Sequence, residues 1–315
     1  MDAAGDVLDI TIKNSNNEAK FEIRTFMQAH RLGRLAPFRT WATPSPDTRR
    51  LTVRIGKQDN NQSAICTSDA DKINVRGRDL CKDIIGKRDF TSYFWLLVTG
   101  EDPTPVQEKF ANAVLTAIAE HGLVPSVVQA RMTYAAAPEA LQGAVAAGLL
   151  GCGSVVLGSA EIAGRFLTEV AATAASSDDT LETVAESAIK MLRKDKKPIP
   201  GFGHPQHSGG DPRALLLLDM AEEEGIVGPH IQALRAVEAA LPDAIGRSLP
   251  INVNGAIPAV MLDVGFPVQA LKGISLLART ASLIGHLQEE SERPIGFIMS
   301  GAAAAAIDYD GPDSQ

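Results

Sequence analysis

The sequence has no excess of basic residues, only three cysteines and no apolar run long enough to cross a bilayer. Each shortage closes off a class of function. With 30 Lys and Arg against 38 Asp and Glu, the net charge of −8 argues against a nucleic-acid-binding surface. A small anionic ligand would need a local basic pocket instead. Cys66, Cys81 and Cys152 are odd in number and lack metal-ligand spacing, so they read as buried, reduced thiols of a cytoplasmic protein. The N-terminus lacks the basic-then-apolar pattern of a signal peptide. Gly148 to Gly164 is apolar but broken by glycine, which fits a buried core helix better than a membrane span. Gly-x-Gly at 201–203 is no dinucleotide fingerprint, because no strand precedes it and the remaining glycine is missing. His204 and His207 stand three apart, yet no Cys, Asp or Glu falls at the spacing a metal site requires.

What is present is a globular chain. Its 315 residues, 45% of them hydrophobic, allow one large or two modest domains. Residues 1–65 read as an appended extension: 8–13 and 50–56 alternate as strands do, and Ala19 to Leu32 has helical spacing. Ile73 to Leu80 reads as a short strand and tight turn. Phe90 to Leu97 follows as an apolar helical run, ending at Thr99-Gly100 with Pro103 beyond. Pro105 to Glu120 and Pro138 to Leu150 are alanine-rich helices, the second small enough in its side chains for close helix approach. Further helices are expected over Glu161 to Ala175, from Ser176-Asp179 to about Lys194, over Pro212 to Glu224, His230 to Ala240, Gly255 to Val264 and Val268 to His286. Leu249 to Asn254 reads as extended. The fold class is therefore mainly α, with a small β element near the start.

Within this helical pattern, Pro198 to Arg213 is too broken to be helix or strand. Gly201 and Gly203 permit positive φ and close ligand approach to bare backbone. His204 supplies an imidazole able to meet a substrate oxygen, and Arg213 a fixed fork for a carboxylate. Arg193, Lys194, Lys196 and Lys197 lead into this loop. They fit a solvated helix end, where cations favour the macrodipole, and equally a phosphate contact.

Four motifs in order carry a family resemblance. Pro200 to His204 with Asp211-Pro212-Arg213 matches a Pro-Gly-x-Gly-His segment ending in Asp-Pro-Arg. Asn252-Val253-Asn254-Gly255 matches an Asn-Val-Asp-Gly segment except at Asn254. Ala278, Arg279, Gly285, His286 and Glu289 match a helical motif, and Arg293-Pro294 a following Arg-Pro pair. Together they make the chain, from about Thr67 onward, resemble the citrate synthase superfamily and its citryl-CoA lyase branch.

The resemblance implies a two-domain helical fold: a large domain from 66–162 and 262–315 bracketing a small one at 163–261, with sites shared across a homodimer. It implies retro-aldol cleavage of a β-hydroxyacyl-CoA such as citryl-CoA to acetyl-CoA and an oxo acid such as oxaloacetate. His204 is the expected acid/base, and Arg213, Arg279 and Arg293 the carboxylate binders, the last reaching the partner's site. Gly201, Phe202, Gly203, Lys196 and Lys197 are expected against coenzyme A, which serves as substrate or product; no tightly bound cofactor, nucleic acid or membrane is implied. Two positions depart from the family. Leu157 falls where synthases carry a thioester-polarising histidine, which citryl-CoA lyases often lack. Asn254 replaces the aspartate that moves the proton on the alpha carbon, and an amide donates hydrogen bonds but does not titrate. Three readings stay open at Asn254: a substituted form that traps its ligand, an enzyme whose enolate is protonated by water or another residue, or a pocket that binds without reacting. Action on another oxo acid, or thioester hydrolysis, keeps the same fold.

Overall fold

The computed structural model describes residues 10–14, 17–21, 62–155, 157–203 and 210–312. The chain divides between Asn61 and Gln62 into two compact units. In the first, β1 (Ile10–Asn14) pairs antiparallel with β2 (Asn17–Phe21), Ile10 opposite Phe21. Residues 19–21 are thus strand, and the helix expected from Ala19 does not begin there. The rest of that helix and the strand expected at 50–56 lie outside the described residues.

The second unit opens with three short antiparallel strands, β3 (Cys66–Ser68), β4 (Ile73–Val75) and β5 (Arg78–Asp79), in that order. Arg76 at φ 49° and Gly77 at φ 81° make the β4–β5 turn, the positive-φ pair that suits a two-residue hairpin. Arg76 then donates twice to the Leu97 carbonyl, and Arg78 meets Asp102 at 2.7 Å. Both arginines are used to pin the sheet to the helical body. The Asp79 carboxylate accepts from the Cys81 and Lys82 N–H groups and starts a single π-helical turn, Leu80–Ile84. Cys66 and Cys81 are exposed here, and only Cys152 is buried. The expectation of three buried thiols is therefore corrected: two stand on a small sheet and its following turn, with too little core to cover them.

The helices are α1 (Phe90–Thr99), α2 (Pro105–Ala119), α3 (Pro125–Ala136), α4 (Leu141–Leu150), α5 (Ser159–Ala175), α6 (Leu181–Lys194), α7 (Pro212–Glu223), α8 (Pro229–Ile245), α9 (Val253–Asp263), α10 (Leu271–Glu292) and α11 (Gly296–Ala306). Start signals match local chemistry. Asp89 caps α1, a Thr104–Gln107 capping box opens α2, and Gly100 at φ 86° closes α1. Helices α3 and α11 have no counterpart in the sequence reading. The inward positions of α3 are Ser126, Val127, Ala130 and Arg131, too polar to make an apolar stripe. In α11 only Gly296 is buried, so no stripe exists to find. Helix α8 runs past the expected end at Ala240, because Pro242 sits in its last turn and costs it a single hydrogen bond. The stretch from Gly148 to Gly164 is not one helix. It breaks between Leu150 and Ser159, where Leu157 is left-handed at φ 65° and the Gly158 N–H returns to the Gly153 carbonyl at 2.9 Å.

Two helical groups result. Helix α9 is buried on nearly every side, with α5, α7 and α8 around it and α6 against α5 and α8. Helix α10 lies on α2, α3 and α4, and α11 packs on α3. Helix α5 touches both α9 and α10. A methyl at Gly164 would stand 2.4 Å from Leu271 and 3.1 Å from Pro258, so glycine is what lets α5 reach both neighbours. At Gly148 a methyl would meet Leu283 at 2.7 Å and the Ser126 carbonyl at 2.8 Å, the close approach expected of α4. Among the described residues no helix is long and apolar enough to cross a membrane. The fold is mainly α, as expected.

Candidate active site

Two glycines in contact join the two segments that carry the candidate residues. Gly201, at φ 88°, packs on Gly255, whose own Cβ would stand 2.6 Å from the Gly201 carbonyl oxygen. Around that contact the loop and the start of α9 are stitched together. Phe202 and Ile251 form an antiparallel bridge. The Asn252 N–H donates to the Gly201 carbonyl at 3.0 Å, and the Gly203 N–H to the Pro250 carbonyl at 2.8 Å. The Asn252 amide donates to the Gly203 carbonyl at 2.6 Å, while its oxygen caps α9 by accepting from the Asn254 N–H at 3.0 Å. Asn254 therefore lies in the first turn of α9, not at the end of an extended stretch; the Asn252 cap draws it into the helix. Its side-chain oxygen is buried without a hydrogen-bond partner. His204 and His207 lie outside the described residues; the loop that carries them leaves Gly203 at this junction.

Asp211 fastens the same junction from the other side. It is fully buried, caps α7, and accepts from the Val253 N–H at 3.0 Å. Arg213 grips it with Nε at 3.0 Å and Nη2 at 2.9 Å. Burial would raise the Asp211 carboxyl, but Arg213 and the two backbone N–H groups hold it below its ordinary value. The Arg213 fork is thus occupied by a carboxylate of the chain, leaving Nη1, which reaches the Ala117 carbonyl at 3.5 Å.

Arg279, on α10, is 2% exposed. Its Nε has no partner, and Nη1 reaches Ser282 Oγ at only 3.4 Å. Burial pushes its guanidinium pKa down, opposed by Glu120 and Cys152. Ser282 in turn donates to Glu120 at 2.5 Å, and His286 Nε2 lies 3.0 Å from the same oxygen. Burial works to raise the Glu120 carboxyl, yet hydrogen bonds from Ser282, His286 and the Gly122 N–H outweigh it and hold it at about 2. Beyond His286, Arg131 binds Glu290 at 2.6 Å and Glu289 at 2.8 Å, and Glu290 accepts the Ile295 and Gly296 N–H groups. His286 is a hydrogen-bonded link in this chain. Glu120 and Arg131 were missed, since their partners lie 155 to 166 residues away and no local pattern announces them.

The remaining expected residues are more dispersed. Arg293 ends α10 with its side chain 79% exposed, 3.9 Å from Glu289. Lys196 is left-handed at φ 55°, and Lys197 pairs with Asp195 at 3.2 Å. Phe202 is buried in the core, as is Leu157. Asp263, the carboxylate downstream of Asn254, is taken up at the far end of α9, where it caps α8 and meets His230 Nδ1 at 2.7 Å.

Comparison with known proteins gives this arrangement a context. Residues 62–296 match the citrate synthase C-terminal domain family. Citrate synthase 2 of Bacillus subtilis is 26% identical over 226 residues, covering 70% of this chain and 56% of that protein. The citrate synthase of Deinococcus radiodurans is 28% identical over 219 residues, covering 67% and 55%. The chain spans about half the length of the curated relatives it matches. Among solved structures, citryl-CoA lyase from Hydrogenobacter thermophilus superposes with a TM-score of 0.71 at 29% identity, over 81% of this chain and 96% of that one. ATP citrate lyase from Methanothrix soehngenii, solved with citrate and coenzyme A, gives a TM-score of 0.65 at 20% identity, over 92% and 47%, and shares the fold. Sequence match and backbone agree, and the chain belongs to the citrate synthase family, with a citryl-CoA lyase among its structural neighbours.

Proposed function

We propose that this protein is a citryl-CoA lyase-like carbon–carbon lyase acting on a β-hydroxyacyl-CoA such as citryl-CoA. The observation that carries the reading is the interlock of the 201–203 loop with the start of α9, which sets Asn254 beside the loop that continues into His204. In the proposed reaction His204 takes the hydroxyl proton as the carbinol becomes a ketone. The carbon–carbon bond breaks, and its electron pair passes into the thioester as an enolate. Protonation of the enolate carbon then releases acetyl-CoA and leaves an oxo acid such as oxaloacetate. Asn254 fits the role of hydrogen-bond donor to the enolate oxygen, with the carbon protonated by water or another group. Arg279 and the Nη1 side of Arg213, held in the free protein only by its 3.5 Å contact to the Ala117 carbonyl, hold the carboxylates, and orientation by these guanidinium groups supplies much of the rate. Lys196, Lys197 and the backbone at Gly201 and Gly203 face the coenzyme A. The two helical groups act as a large domain (66–162, 262–315) and a small one (163–261) that close over the ligand to exclude water. The unit is a homodimer in which Arg293 serves the partner's site.

A second reading is binding without turnover, favoured by the loss of a titrating group at Asn254 and of a hydrogen-bonding one at Leu157. Release of acetyl-CoA from citryl-CoA separates the two. Activity that disappears in His204→Ala supports the lyase with Asn254 in place. Activity only in Asn254→Asp, a gain on the order of 10²–10⁴, supports the binding protein. No activity in any form makes citryl-CoA the wrong substrate.

A further inference from the structure

One turn before Arg279 on α10 stands a second polar group that the site as described leaves unused. Ser275 is 1% exposed, and its hydroxyl has no hydrogen-bond partner. A serine inside a helix ordinarily returns its hydroxyl to the carbonyl four residues earlier. Ser275 does not, although such carbonyls are what Thr280, Thr168 and Thr133 use in this same protein. Residues four apart share one helix face, so Ser275 and Arg279 lie one above the other, both buried. Arg279 brings to that face an equally unpartnered Nε. The chain's own acids do not answer it. Glu120 is reached through Ser282 from the Nη1 side, and Cys152, the other group near Arg279, is a thiol that burial keeps from ionising.

Buried polar groups are nearly always partnered, so two orphans on one face mark a place built for a partner from outside the chain. We infer that Ser275 and Arg279 form a two-point seat for one carboxylate of the oxo-acid half, Ser275 Oγ–H donating to one oxygen and Arg279 Nε–H to the other. This inference rests on the reading of Arg279 as a carboxylate binder. It adds Ser275 as a specificity residue: the seat matches a carboxylate and rejects an ester or amide, which would leave one of the two donors unmet. It also gives the folded protein an unusual balance. The free protein carries an unpaired hydroxyl that only the ligand satisfies, so removing it should weaken binding without weakening the fold.

The test is calorimetric titration of the full-length protein with oxaloacetate, alongside thermal unfolding of the free protein. Ser275→Ala is expected to bind roughly ten- to a hundred-fold more weakly, the loss of one hydrogen bond to a charged group, with an unchanged or higher unfolding midpoint. Unchanged affinity in Ser275→Ala, while Arg279→Gln loses binding, overturns the role of Ser275 and leaves the Arg279 reading standing. Full affinity in Arg279→Gln, or no binding by the unaltered protein, removes the Arg279 reading and this inference with it. A Ser275→Ala protein that binds normally but melts lower assigns the hydroxyl an internal partner and also overturns the seat. Should alanine fail to fold, Ser275→Cys, similar in volume and a weak donor, decides: weaker binding at an unchanged midpoint supports the seat, and unchanged binding overturns it.

Discussion

Asn254 and Glu120 show how far a single side chain's surroundings set its chemistry. An asparagine does not titrate, and in the first turn of α9 it is half-buried with its side-chain oxygen buried and unmet, so its side chain carries polarity without a proton to exchange. Glu120 is the opposite case, a carboxyl that stays ionised far below its usual range because Ser282, His286 and the Gly122 N–H outweigh its burial. Its folded value, about 2, lies below the unfolded 4.5. The stability it contributes is therefore complete above the unfolded value and disappears as pH falls toward the folded one. Glu120→Gln should lower the urea midpoint at neutral pH and flatten the acid limb of the stability curve in that window. Curves for the two proteins that stay parallel from neutral pH down to about 2 would contradict it. Nothing in the local sequence marks Glu120, because its side-chain partners, Ser282 and His286, are on α10. Arg213, by contrast, was visible as part of a motif, but its grip on Asp211 was not: spacing names a fork without saying which carboxylate fills it.

At the scale of elements, the α3–α10–α11 corner depends on one buried ion pair. Arg131 and Glu290 have side chains 2% and 1% exposed, and Glu290 also holds the first N–H groups of the α11 segment. Removing one partner of a buried pair leaves an uncompensated charge, a loss of about 3–5 kcal/mol. Arg131→Met should cost that much in urea unfolding. Arg131→Met with Glu290→Gln should be milder, since glutamine still accepts from the backbone but carries no charge. A double variant worse than the single one would disprove this account. The same corner explains which helices were legible. Those with an apolar stripe or a clear cap, such as α1, α2 and α5 to α7, could be read close to their ends. Helix α3 hides because its buried face includes Arg131, whose burial is satisfied only by residues far along the chain. The Gly148–Gly164 break was misread because an apolar run says neither that its residues are helical nor that they are buried: Cys152 and Leu157 are buried in the loop, while Leu150 and Val155 beside them are exposed.

At the scale of the whole molecule, the segment along and just after α11 leaves four large apolar side chains in water. Phe297, Ile298, Ile307 and Tyr309 are 72%, 68%, 75% and 78% exposed along and just after α11, more large apolar side chain than one short segment commonly leaves in water. We expect sedimentation to give a dimer and Phe297→Asp to shift it toward monomer. A monomeric parent protein, or a Phe297→Asp protein that stays dimeric, would place the contact elsewhere or remove it. The general architecture was legible because a helical body announces itself in periodicity. The packing around the candidate residues was not, because it joins side chains as far apart in sequence as Glu120 and His286. The meeting of Gly201 with Gly255 has a consequence for modularity. Neither position tolerates a methyl while the other backbone stands where it does. Any recombinant that takes the loop from one relative and the start of α9 from another must therefore inherit both glycines together, so in the design of chimeras these two distant segments behave as one cassette.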